Sequence, residues 1–123
     1  MKKLFVALAL GAAAAGASSS ALAANACTGV AGNGATVTGA TDGSKFVRIS
    51  FTAKCSANVL SQYTDQQTTF AVAAGSTKGK NIFIGNTAGG AIKPSGTACA
   101  SSGCTSSNVG TGLTAAENMA SSS

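Results

Sequence analysis

Four cysteines in a chain short of core residues set the terms on which it can fold. They are Cys27, Cys55, Cys99 and Cys104. An even count in a small exported protein reads as disulfides, and four cysteines allow three connectivities. The spacing favours Cys27–Cys55 with Cys99–Cys104. The second pair closes a tight loop over Ala100-Ser101-Ser102-Gly103, where the glycine permits the turn. The first fastens the N-terminal segment to the strongest strand pattern in the chain. A loop of that size stabilises by roughly 3–4 kcal/mol on the chain-entropy account. Zinc is the competing use of four cysteines. These spacings lack paired C-x2-C knuckles and the chain has no histidine, which argues against it.

The N-terminus supplies the oxidising compartment that disulfides need. Lys2 and Lys3 precede the apolar run Leu4–Leu10, a Gly/Ala/Ser stretch follows, and Ala21-Leu22-Ala23 ends it. Basic end, apolar segment and small residues in this order make residues 1–23 a cleaved secretory signal peptide. The apolar run is too short to span a bilayer, so membrane contact is expected only during export. The expected cut falls after Ala23. Ala24-Asn25-Ala26 offers a second small-x-small site, and a cut there would leave Cys27 at the N-terminus, as in a lipoprotein. Ala24 stands where such a signal usually has leucine. The final place is periplasm, cell surface or medium.

Removing residues 1–23 leaves 100 residues, of which 16 are Leu, Ile, Val or Phe. That is below the level expected of an ordinary globular core. Such a chain needs help to stay folded, from disulfides, a partner strand or polymerisation. Of the eight basic residues, the loss of Lys2 and Lys3 leaves six. Set against Asp42, Asp65 and Glu117, they lower the net charge from +5 to +3. The remaining cations are scattered without interleaved aromatics, which argues against nucleic-acid binding.

The pattern along the chain predicts a mainly β fold: a small antiparallel sheet or partial sandwich of three to five short strands, stapled by disulfides and flanked by flexible polar segments. Residues 24–44 are rich in Gly, Thr and Ala and form a possible donor or edge strand, with a short strand at Thr36–Thr38. Residues 45–104 form the stapled β module. Between Lys45 and Cys55 the residues alternate, with Val47, Ile49, Phe51, Ala53 and Cys55 on one face, the mark of a half-buried strand. A second strand is expected at Thr68–Ala74 with Phe70 and Val72 inward. A third, Asn81–Ile84, has Ile82 and Ile84 inward and makes a hairpin with the second. Ala91–Lys93 reads as a short strand stopped by Pro94, and Val59–Tyr63 is ambiguous between strand and helical turn. Residues 105–123 are expected to be a loosely ordered tail. Thr114–Glu117 fits a capping box, but too little chain follows for a stable helix.

Chemistry is sparse. Without histidine there is no Ser-His-Asp or Cys-His centre. Three carboxylates give no supported glycosidase pair. Gly75–Asn81 fails the phosphate-loop pattern, and Gly32-Asn33-Gly34 lacks the third glycine of a dinucleotide turn. No enzyme, cofactor or metal site is expected. The leading expectation is a non-enzymatic structural subunit of an extracellular or surface fibre, self-assembled through β-strand contacts, with Phe46, Arg48 and Phe83 as assembly-face candidates. Residues 24–44 or 105–113 are candidate donor strands. The run Phe46–Val59 resembles the middle of fimbrial subunits. A monomeric secreted binding protein or small toxin-like effector is the alternative.

Overall fold

The computed structural model describes residues 23–89 and 91–122. Apart from Ala23, the expected signal peptide lies outside them. Among the described residues, seven strands precede one helix: β1 (Ala24–Thr28), β2 (Gly32–Val37), β3 (Phe51–Cys55), β4 (Val59–Asp65), β5 (Phe70–Ser76), β6 (Asn81–Asn86), β7 (Lys93–Ala98) and α1 (Ser106–Ser122). Five strands make an antiparallel sheet in the order β1-β4-β5-β6-β7, and β2 pairs with β3 in a separate ribbon. The expected class, a small disulfide-stapled antiparallel β fold, is the one observed.

Both disulfides join the expected partners. Cys27–Cys55 ties β1 to β3 across a Cα separation of 5.7 Å, and Cys99–Cys104 spans 4.9 Å. Gly103 adopts φ +120° in the short loop, and a Cβ there would collide with the Thr77 carbonyl. By their sequence separations of 28 and 5 residues, the two bonds contribute about 3.5 and about 2 kcal/mol on the chain-entropy account.

Period 2 assigns the faces of the sheet. Through the β4–β5 and β5–β6 registers, Leu60, Gln62 and Thr64 share a face with Ala71, Ala73, Gly75, Ile82, Ile84 and Asn86. Helix α1 packs on this face, against β4, β5 and β6. The core joins Leu60, Ala71, Ala73, Ile82 and Ile84 to Val109, Leu113, Ala116 and Met119.

Three expectations change. The first concerns β5, where Ala71 and Ala73 point into the core while Phe70 and Val72 lie half-buried on the other face. The helix approaches the sheet too closely for larger groups. A Cβ on Gly112 would stand 2.5 Å from Ile82 Cγ2 and 3.5 Å from the Ala73 Cβ. Small residues at the contact let two backbones meet, and close packing supplies the dispersion that large side chains would otherwise provide.

Second, the tail expected to be loose over residues 105–123 is mostly helix. Val109, Leu113, Ala116 and Met119 fall on one stripe and are all buried. The start is capped reciprocally. The Thr105 N–H and Oγ1 both donate to Asn108 Oδ1, at 2.9 Å each, and the Asn108 N–H donates to Thr105 Oγ1 at 3.3 Å. This is a capping box with asparagine in the acceptor position. Thr114–Glu117 lies inside the helix instead, where Thr114 Oγ1 donates to the Gly110 carbonyl. A 17-residue helix with two glycines would be marginal alone, so tertiary packing holds it.

Third, only Phe51–Cys55 of the alternating run is strand. No second layer among the described residues covers Phe46, Ile49 and Phe51, which are 43%, 81% and 49% exposed. The preceding residues loop back instead. The Ala40 N–H donates to the Val47 carbonyl, and the Phe46 N–H to the Gln66 carbonyl and to Asp65 Oδ1. Elsewhere Val59–Asp65 resolves as strand. β7 begins at Lys93 and runs through Pro94, which an edge strand tolerates because its missing N–H faces outward.

Candidate functional site

The face of the sheet away from α1 presents the clearest surface for function. Val59, Ser61 and Tyr63 of β4 share it with Phe70, Val72 and Ala74 of β5 and with Phe83 and Gly85 of β6. No helix covers it. Phe83 is 48% exposed and Ile92, just before β7, is 66% exposed. The Ile92 side chain lies over Gly85, in the space a Cβ there would take. Tyr63 and Phe70 stack with ring centroids 5.3 Å apart.

Two shallow hollows lie on this face. One, of about 380 Å³, runs over Val59 and Ala74 between Phe83 and Lys80. The other, of about 240 Å³, lies over Val72 and Gly85 beside Ile92. Both are floored mainly by apolar side chains and backbone.

The edges of the sheet are less available than its face. At one edge, β7 combines Lys93, Pro94, a positive-φ glycine at Gly96 and a register shift against β6. These are the features by which natural edge strands resist pairing. At the other edge, β1 carries a register shift between Asn25 and Cys27. It is tied to the β2–β3 ribbon by the disulfide, and Gly34 of β2 packs against the Ala26 carbonyl.

Comparison with protein-family models, curated proteins and solved structures finds no match. What the site can do is therefore read from its own chemistry.

The three assembly-face candidates separate. Phe83 stands on the open face, whereas Phe46 and exposed Arg48 belong to the loop joining β2 to β3. That loop is anchored at the far end of β4. The Phe46 N–H donates to Asp65 Oδ1 at 2.8 Å and the Val47 N–H to the same oxygen at 3.4 Å. Asp65 thus holds a loop. Its Oδ2 and Thr64 Oγ1 are buried without a hydrogen-bond partner among the described residues. All four cysteines are spent in disulfides, and no group of three His, Cys, Asp or Glu side chains among the described residues is placed to hold a metal ion. At exposed Asp42, the Ser44 hydroxyl and N–H both donate to Oδ1, and these bonds lower its pKa.

Val72 and Ile92 also belong to the open face and were not among the expected contact residues. The signal for Val72 is the large–small alternation Phe70-Ala71-Val72-Ala73, which gives two faces but not which one the helix takes. Ile92 carries no signal, since a single isoleucine beside Pro94 fits no period.

Proposed function

We propose that the mature chain is an exported, non-enzymatic structural protein that works by associating with copies of itself, as a subunit of an extracellular assembly. One observation carries this reading: a sheet with one face packed by a helix and the other bearing exposed Phe83 and Ile92, away from the edge where Cys27 ties β1 to the β2–β3 ribbon. Uncovered apolar patches of this kind, on proteins that live in water, mark interaction surfaces. In a chain with only 16 large apolar residues after export, leaving Phe83 and Ile92 outside costs stability that a partner would restore. Two intramolecular disulfides are typical of exported proteins, and no helix among the described residues is long and apolar enough to cross a membrane.

The face is favoured over the edges as the contact, because β7 is guarded and β1 carries a register shift and is tied to the β2–β3 ribbon. Residues 24–28 thus complete the sheet of their own chain. Negative-stain electron microscopy and size-exclusion chromatography of the oxidised chain 24–123 test the reading. Filaments or oligomers that grow with concentration support it. A sharp monomer peak across all concentrations and pH values tried sinks it.

A second reading is a monomeric secreted binding protein, and the hollow beside Lys80 is the observation that favours it. It predicts the same fold with a monomer peak and an apolar ligand that shifts the amide signals of Ala74 and Phe83.

A further inference from the structure

This inference rests on the export proposed above and concerns what removal of the signal peptide does to the fold. Ala24 is the first residue of β1 and pairs with Tyr63, and the ladder runs from there to Thr28 opposite Leu60. Ala23, the residue before it, is exposed and outside any strand. Beyond Tyr63, the end of β4 serves the loop between β2 and β3 instead. The Phe46 N–H donates to the Gln66 carbonyl at 2.9 Å and to Asp65 Oδ1 at 2.8 Å, and the Val47 N–H donates to that Oδ1 at 3.4 Å.

The two candidate cleavage bonds are therefore unlike in the fold. Ala23–Ala24 stands at the boundary between exposed chain and sheet. Ala26–Cys27 lies inside β1, where Cys27 is 7% exposed and bonded to Cys55, and Gly34 packs against the Ala26 carbonyl. A cut there would remove three of the five residues of β1, and a lipid on Cys27 Sγ would exclude the disulfide.

Hydrolysis of Ala23–Ala24 adds one water across the bond, leaving a carboxylate on Ala23 and an ammonium on Ala24. The new charge arises beside a carboxylate oxygen that needs one. Period 2 puts Asp65 on the same face of β4 as Tyr63, roughly 7 Å further along, and the Ala24 nitrogen lies on the Asp65 side of its own Cα. Asp65 Oδ1 is used by two N–H donors, whereas Oδ2 is buried without a partner among the described residues. Burying a charged oxygen unpaired is costly. The other charged or titratable groups near this end are engaged or turned away. Lys45 Nζ donates to the Thr38 carbonyl at 3.0 Å, Asp42 accepts from Ser44, Arg48 is exposed, and Tyr63 stacks on Phe70. Glu117 lies on α1 beside Asn86 of β6, two strands from β4.

We propose that signal-peptide removal completes the fold electrostatically: the α-ammonium freed on Ala24 pairs with Asp65 Oδ2, fixing the start of β1 to the end of β4 and to the loop that Asp65 holds. The uncut chain has a neutral amide at that position. An ammonium paired with a carboxylate titrates above the ordinary α-amine range of about 7.7–8.0. The stabilisation is complete below that range and is lost as pH rises through the raised value.

Two measurements test the pair. The full-length chain is expressed in a secreting host, and mass spectrometry of the exported product is expected to show Ala24 at its N-terminus. A product beginning at Cys27 overturns this inference while export stands, and a product retaining Met1 overturns both. In the oxidised chain 24–123, NMR is expected to place the Ala24 amine midpoint about one unit above the ordinary range, and within it in Asp65→Asn, which keeps an acceptor for Phe46 and Val47. Nα-acetylation removes the charge. At pH 7 it is expected to lower the thermal midpoint of wild type and to leave that of Asp65→Asn unchanged. An ordinary amine midpoint in the folded wild type, or an equal loss on acetylation in both chains, overturns the pair while export stands. Should Asp65→Asn fail to fold, the wild-type amine midpoint decides alone.

Discussion

On β5 the two faces of the five-stranded sheet are built from opposite materials. The covered face takes Ala71, Ala73 and Gly75 from β5 and meets Gly112, Leu113 and Ala116 of α1. The open face carries Phe70, Val72 and Phe83, joined by Ile92. Along β5 the chain keeps its small residues inside and its larger ones outside. A core poor in leucine and phenylalanine is thus not an empty core. It is one in which backbone approaches backbone, and the bulk left over is placed where a second molecule would meet it.

The largest expected effect lies on the covered face. Leu113 is 2% exposed at the centre of α1, so Leu113→Ala should cost about 3–4 kcal/mol in urea denaturation of the oxidised chain. Next comes Gly112→Val, which asks for space that Ile82 and Ala73 occupy. It should cost about 2 kcal/mol by overpacking, despite valine's better helix propensity than glycine's. If either variant were as stable as wild type, the close helix–sheet contact would be wrong.

Removing the N-cap hydroxyl by Thr105→Ala should cost about 1 kcal/mol, read as a lower thermal midpoint and lower helical circular dichroism. On the open face, Phe83→Ser should cost about 1 kcal/mol in a dilute sample, since half of its surface is already buried on the sheet. A loss comparable to that of Leu113→Ala would mean that the two faces are not different in kind.

The smallest effect concerns Asp42, which Ser44 holds by two hydrogen bonds. Its folded pKa lies below the ordinary aspartate value of 3.8, so the ionised form favours the folded loop. That contribution is complete above the ordinary value and disappears as pH falls through the folded one. A carboxyl NMR titration should place the Asp42 midpoint below 3.8.

Much of this architecture was legible in the sequence where a pattern had only one physical solution. The cysteine spacing pointed to the two disulfides, Gly103 to its turn, and Ile82 with Ile84 to the inward face of β6. The β5 alternation was visible but its sense was not. Choosing Ala71 and Ala73 over Phe70 and Val72 depends on how near α1 comes, and α1 itself was hidden. Val109, Leu113 and Met119 are spaced for a helical stripe, but glycines and serines between them outweigh that signal until a sheet is present to receive it. The run from Lys45 to Cys55 failed the other way. Its period was right, but a strand pattern is realised only where a layer exists to bury it, and Phe46 and Ile49 have none. The candidate site was legible only through Phe83, because an uncovered face is a property of the assembled fold.

The most direct test of the account is sedimentation equilibrium of the oxidised chain 24–123 beside a Phe83→Asp/Ile92→Asp double variant, both over a wide range of concentrations. The open face as a self-contact predicts a wild-type mass that rises with concentration and a folded double variant that stays monomeric. A double variant that associates as strongly as wild type, or a wild type that remains monomeric throughout, would contradict it.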